Sequence, residues 1–219
     1  MPQHLQKEIE KLKKSIMIIG TLVEESLRDS IRSVIERDSH RAKTIIKEDS
    51  VIDEMEVELE EECLKILALH QPVAIDLRYI ISVLKINNDL ERIGDLAVNI
   101  AERAEYLSSQ PPIEIPDTVP LMASIVQDML KNSLDALVNM DTKQATKVCE
   151  SDDQVDDLHN GMYLLIQSMI EKESKRIDAC LQILSISRYL ERAADHCTNI
   201  AEDVEYLVEG QIKRHSYDV

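Results

Sequence analysis

The sequence predicts an all-α protein built as two antiparallel three-helix bundles related by internal duplication. Three observations carry that expectation. First, Leu90 to Leu107 (LERIGDLAVNIAERAEYL) returns one hundred residues later as Leu190 to Leu207 (LERAADHCTNIAEDVEYL), with 11 of 18 positions identical and no gap. Second, the composition is that of helices with an aliphatic core: four Gly, no Trp, no Phe, and abundant Leu, Ile, Ala, Glu and Lys. Third, four of the six prolines crowd into Ser108 to Pro120, which breaks any helix between the two copies.

Each element follows from local signals. Leu5, Ile9, Leu12, Ile16, Ile19, Val23, Leu27, Ile31 and Val34 recur every three or four residues and predict a first helix over about Leu5 to Glu36. Asp38-Ser39-His40 ends it, and Ser39 or Asp38 can cap the next. The second helix covers about Arg41 to Leu69, with Ile45, Ile52, Leu59, Cys63 and Ile66 inward. His70-Gln71-Pro72 is a tight stop and restart, with Pro72 suited to a first helical turn.

The third helix continues to about Leu107. One of its stripes is apolar throughout (Val83, Ile86, Leu90, Ile93, Ala97, Ile100, Ala104, Leu107). A second begins with Leu77, Ile80 and Leu84, then turns acidic at Glu91. That second apolar stripe offers an interface for a homodimer. After the linker the pattern repeats: about Thr118 to Met140, Thr142 to Glu171 and Lys175 to Glu209. The expected division is 1–108 for the first bundle, 109–117 for the linker and 118–219 for the second.

The repeat preserves acids as well as leucines. Glu91, Asp95 and Asn99 recur as Glu191, Asp195 and Asn199. Each step of four turns a helix by only ~40°, so each trio forms one stripe of oxygen-bearing side chains. With the first hairpin turning near residue 71 or 72, Asp53 faces Glu91 and Asp49 faces Asp95. With the second turning near Glu173, Asp156 faces Glu191 and Asp152 faces Asp195. Each half thus sets a DxxxD on one helix against an ExxxD on the next.

Such a quartet repels itself, by about 4 kcal/mol for a unit-charge pair at ~4 Å and an effective dielectric of ~20. A multivalent cation offsets that cost, and all-oxygen donors suit hard ions such as magnesium, manganese or iron, with zinc also admissible. The alternative is a solvated face, or one neutralised by Arg78, Arg92, Arg188 or Arg192. His159, three residues after Asp156, could add a nitrogen ligand; its first-half counterpart is Glu56. His196 points ~100° from Asp195 and reads as ordinary surface, and Cys197, matching Ala97, reads as core.

The formal net charge of −17 argues against nucleic acid, anionic lipid and a direct phosphate pocket, and for cations and basic protein surfaces. The four cysteines form no CxxC pair and read as reduced thiols of a cytoplasmic protein. The first residues hold no secretion signal, and the apolar run near Ile16 to Val23 is too short to span a bilayer, so no membrane insertion is expected. No nucleophile–base pair or phosphate loop appears, so no enzymatic activity and no catalytic residue is expected. Two other readings are a metal-free helical scaffold and a ferritin-like di-metal oxidase; the latter expects Glu-x-x-His pairs in one four-helix core.

HQPVAIDLRYI at 70–80, LERIGDLAVNIAE at 90–102 and LERAADHCTNIAE at 190–202 resemble the PhoU family, accessory and regulatory proteins of bacterial phosphate uptake. The resemblance spans essentially the whole chain. It implies multinuclear iron or zinc clusters on paired E(D)xxxD motifs: by position Glu91 and Asp95 with Asp49 and Asp53, and Glu191 and Asp195 with Asp152 and Asp156. It further implies repression of the phosphate-starvation response through contacts with the ATPase subunit of the phosphate ABC importer and with its sensor histidine kinase. Two departures stand out. The second half reads ESKRIDACL where the first has QPVAIDLR, and ERAAD replaces ERIGD, though both implied ligands survive.

Overall fold

A computed structural model describes residues 3–211 of the 219-residue chain. It contains six long helices: α1 (Gln3–Glu36), α2 (Ser39–His70), α3 (Ala74–Ser109), α4 (Thr118–Asn139), α5 (Thr142–Lys172) and α6 (Ile177–Glu209). A single 3₁₀ turn, Ser174–Arg176, precedes α6, and no strand occurs among the described residues. The nine apolar positions spaced along α1 are all buried, as are the five inward positions of α2 and the eight of α3's apolar stripe. Hydrophobic burial on one face per helix is what holds each three-helix unit together.

The caps show why the helices begin where they do. Asp38 accepts from the backbone N–H groups of His40 and Arg41, both at 3.0 Å, and starts α2. Asp141 does the same for α5, accepting from Lys143 and Gln144. Helix α3 starts two residues later than Pro72 suggests. Gln71 takes a left-handed conformation that accepts the end of α2, and Val73 stays extended. Pro72 therefore belongs to the connection, and Ala74 opens α3 with a positive φ of 51°. The second hairpin turns through a 3₁₀ turn that delays α6 from the expected Lys175 to Ile177.

The halves do not stand apart. Helix α3 packs antiparallel along α6, and α1 crosses α4, so one continuous core runs through both halves. Gly20 marks the α1–α4 approach: a Cβ there would lie 2.7 Å from Leu134 Cδ1. The α3–α6 seam is unexpectedly polar. Lys85 Nζ pairs with buried Asp203 at 2.9 Å and sits 5.1 Å from the centroid of the Tyr206 ring. Ser82 Oγ donates to the Asp203 carbonyl at 3.3 Å, and Arg103 Nη1 donates to Gln182 Oε1 at 3.3 Å. These bonds fix the sliding register of the two halves, which aliphatic side chains alone would leave loose. No helix among the described residues is long and apolar enough to cross a membrane.

Candidate metal-binding site

Both hairpins bring the predicted acids into each other's field. In the first half, burial raises the Asp49 carboxyl to about 6, reinforced by Asp53 and Asp95. Glu91 is also raised, first by burial and then by Asp95 and Asp53, while Arg92 pulls it down. In the second half, burial raises Asp152 to about 7, reinforced chiefly by Asp195 and Asp156, with Glu191 adding to it. Burial raises Asp195, with Glu191 and Asp156 contributing and His196 and Arg192 opposing. Glu191 is raised by burial and by Asp156, and is tempered by Arg188 and Arg192. Asp49, Glu91, Asp152, Glu191 and Asp195 thus each feel an acid of the facing helix, in keeping with the register argument.

Local sequence allows this closeness. Gly94 lies on α3 directly under α2, where a Cβ would stand 3.5 Å from Ile52 Cδ1 and 3.7 Å from Asp49 Oδ1. These are ordinary contacts, and Ala194 occupies the equivalent place in the second half. The apolar positions between the acids, Ile52 and Val155 on one side and Ile93 and Ala193 on the other, are buried. They anchor the two acidic ladders against each other at the rim of the core.

The asparagines at the ends of the stripes spend their amide N–H groups outside the quartets. Asn99 donates to the Asp95 carbonyl of its own helix at 2.7 Å. Asn199 donates to Asp89 Oδ1 on α3 at 3.3 Å. His196 is not ordinary surface. Its Nδ1 lies 2.8 Å from Asp89 Oδ1, with both side chains largely enclosed. The reason is the α3–α6 packing, which covers the face of α6 that a single bundle would leave to solvent. Cys197 is core, as expected, and all four cysteines are free.

Three further residues shape the site. Arg92 reaches Asp95 Oδ2 with Nη1 at 3.0 Å and stands 3.3 Å from Glu91 Oε2 through Nε. His159 is buried and holds Ser187 Oγ at 3.0 Å through Nδ1. Burial lowers its basicity, against the pull of Asp156. Glu56, its first-half counterpart, is raised by burial and by its acidic neighbours Glu60 and Asp53.

The donors fit a hard or borderline cation in type and number. Asp152 Oδ1 is enclosed with no hydrogen-bond partner, and Glu91 Oε2 is enclosed and out of line for a hydrogen bond even from nearby Arg92. Orphaned carboxylate oxygens facing other carboxylates are costly without a positive charge. Among the described residues, however, no three His, Cys, Asp or Glu side chains converge on one metal position as they stand. Holding an ion therefore requires the carboxylates to swing on helices that stay fixed.

Comparison with known proteins places both acidic ladders inside a recognised unit. The PhoU domain matches residues 16–104 and again 119–204. The phosphate-specific transport system accessory protein PhoU homolog of Aquifex aeolicus is 36% identical over 213 residues, covering 97% of this chain and 96% of that protein. The phosphate-specific transport system accessory protein PhoU of Escherichia coli is 34% identical over 208 residues, covering 95% and 86%. The crystal structure of PhoU from Pseudomonas aeruginosa superposes with a TM-score of 0.89 at 37% identity, covering 94% of this chain and 99% of that one.

Proposed function

The chain belongs to the PhoU family, and we propose that it is a metal-binding regulatory adaptor of phosphate uptake rather than an enzyme. Its relatives are named as accessory proteins of the phosphate-specific transport system. In this reading Asp49, Asp53, Glu91 and Asp95 hold one metal cluster, and Asp152, Asp156, Glu191 and Asp195 hold another. Iron or zinc is the first choice, with manganese or magnesium as alternatives. The metal supplies positive charge that lets each acidic ladder close. The carboxylates then present a fixed surface in place of a self-repelling one.

The observation that carries this reading is the enclosed, unpartnered Asp152 Oδ1, on a carboxyl that burial first, and then Asp195 and Asp156, raise to about 7. The partners are the ATPase subunit of the phosphate ABC importer and the phosphate-sensing histidine kinase, met in the cytoplasm. Through them the protein restrains the phosphate-starvation response when phosphate is plentiful. A surface of net charge −17 favours basic patches on those partners and speeds encounter with them. The second apolar stripe of α3 is mostly used within the chain, since Ile80 is fully buried and Leu84 packs against the core, so only Leu77 is left exposed for the homodimer contact expected there.

A second reading has one specific observation behind it. Arg92 already pairs with Asp95 and neighbours Glu91, so the first quartet can persist as an ion-paired face without metal. A metal-free scaffold would then dock basic partners directly. Deleting the gene should raise phosphate-uptake gene expression in phosphate-rich medium, and the protein should co-purify with the importer's ATPase subunit and with the kinase. Unaltered expression and no co-purification would count against the regulatory role.

A further inference from the structure

His159 stands at the end of the second quartet nearest the α5–α6 turn. It follows Asp156 by three residues, so the two side chains share one face of α5. Its hydrogen-bond partner, Ser187, lies one turn before Glu191 on α6. The imidazole thus lies near Asp156 on α5 and bonds α6 one turn before Glu191. Ser187 Oγ also donates to the Leu184 carbonyl at 2.8 Å. A hydroxyl has one proton, so toward the ring Ser187 can only accept.

The network therefore assigns the proton to Nδ1 and leaves the lone pair on Nε2. Burial keeps the ring neutral. A buried neutral imidazole with one nitrogen tied to a fixed acceptor has the arrangement that orients histidine ligands of metals. The first half cannot reproduce it. Glu56 occupies the matching position, and Asn87, in place of Ser187, donates to the Glu56 backbone carbonyl at 2.9 Å.

We infer that His159 is a nitrogen ligand of the second quartet, so that this site prefers borderline ions such as Zn²⁺, Co²⁺ or Fe²⁺, whereas the first is an all-oxygen site. The inference rests on the metal reading of the quartets and goes beyond it by making the two sites chemically unequal. Imidazole strengthens binding of these ions more than of Mg²⁺ or Mn²⁺. Limiting zinc therefore loads the second half first.

The test is a Co²⁺ titration of the chelator-stripped full chain, followed by visible absorption and by proton NMR. Cobalt bound through Nε2 shifts the exchangeable Nδ1 proton far outside the normal spectrum. One such signal is expected in the unaltered chain and in Glu91→Ala/Asp95→Ala, and it should vanish in Glu191→Ala/Asp195→Ala. His159→Gln, which better preserves the packed volume than His159→Ala, should remove the signal and weaken second-site cobalt binding at least about tenfold. Cobalt held at the second quartet with unchanged affinity in His159→Gln, or a shifted imidazole signal that survives that change, overturns His159 as a ligand while leaving the metal site standing. Cobalt bound at neither quartet overturns the metal reading itself. The unaltered chain's spectrum needs no variant to fold.

Discussion

The two acidic ladders share residue types and register, yet their surroundings have diverged. Asp49 is raised to about 6 and Asp152 to about 7. In the first half Arg92 lies directly against the acids; in the second, Arg188 and Arg192 temper Glu191 through space. Lys43 pairs with Glu105 at 3.5 Å on the surface, while the matching Thr146 donates to buried Glu205 at 2.7 Å. Where Glu56 stands in one half, the other has His159. Duplication supplied two copies of a backbone and a charge ladder. The neighbours then set how each ladder's charge is compensated, and burial raises Asp152 in the second as it raises Asp49 in the first.

The comparison breaks most visibly if the halves are not one folding unit. Leu90 and Leu190 are each fully enclosed. Leu90→Ala and Leu190→Ala should each cost about 2–5 kcal/mol. Because the core is continuous, calorimetry should show either change lowering one shared transition. Two transitions, with only one responding to each variant, would make the halves independent.

Charge separates the halves next. The folded-state carboxyls of Asp49 and Asp152 lie above the ordinary aspartate value of about 4, so the folded protein holds their protons over a window where the unfolded chain has released them. In chelator, their contribution to stability is present below about pH 4. It is lost as pH rises toward about 6 for Asp49 and about 7 for Asp152. Both groups are half-open to solvent, which screens the effect to about 1–2 kcal/mol apiece. Asp152→Asn should therefore stabilise the metal-free protein at pH 8 by more than Asp49→Asn does. Thermal melts from pH 4 to 8 check both the order and the sign.

Smaller changes sharpen the contrast. Arg92→Ala removes an exposed pair and should cost the metal-free protein under about 1 kcal/mol, moving the first half toward the second; chemical denaturation in chelator reads it. Gly94→Ala copies the residue of the second half into the first. The added Cβ meets only ordinary contacts at 3.5–3.7 Å. Relief of the helical-glycine penalty should then stabilise by about 0.5–1 kcal/mol. A loss of stability would mean that α2 and α3 cannot yield there.

The spacing of apolar residues was enough to place the six helices and the inward faces of α1, α2 and α3, because burial on one face is a periodic signal. The facing of Asp53 with Glu91 and of Asp156 with Glu191 was legible too, since short turns fix the register of an antiparallel pair. The α3–α6 seam was not. Periodicity assigns one buried face to a helix, and α3 buries two. Asp89 and Asp203 are polar, so they read as solvent-facing until the other half covers them. His196 was misread for that reason. The start of α3 was missed because Gln71 and Ala74 adopt left-handed conformations that their residue types do not advertise.

Metal content of the full chain, stripped with chelator and reloaded with iron or zinc, bears most directly on the paired ladders. The unaltered protein should retain metal in both halves. Asp95→Ala and Asp195→Ala should each lose the share of one half, and the double variant should retain none. Loading that is the same in all four proteins, or absent from the unaltered one, would contradict the account.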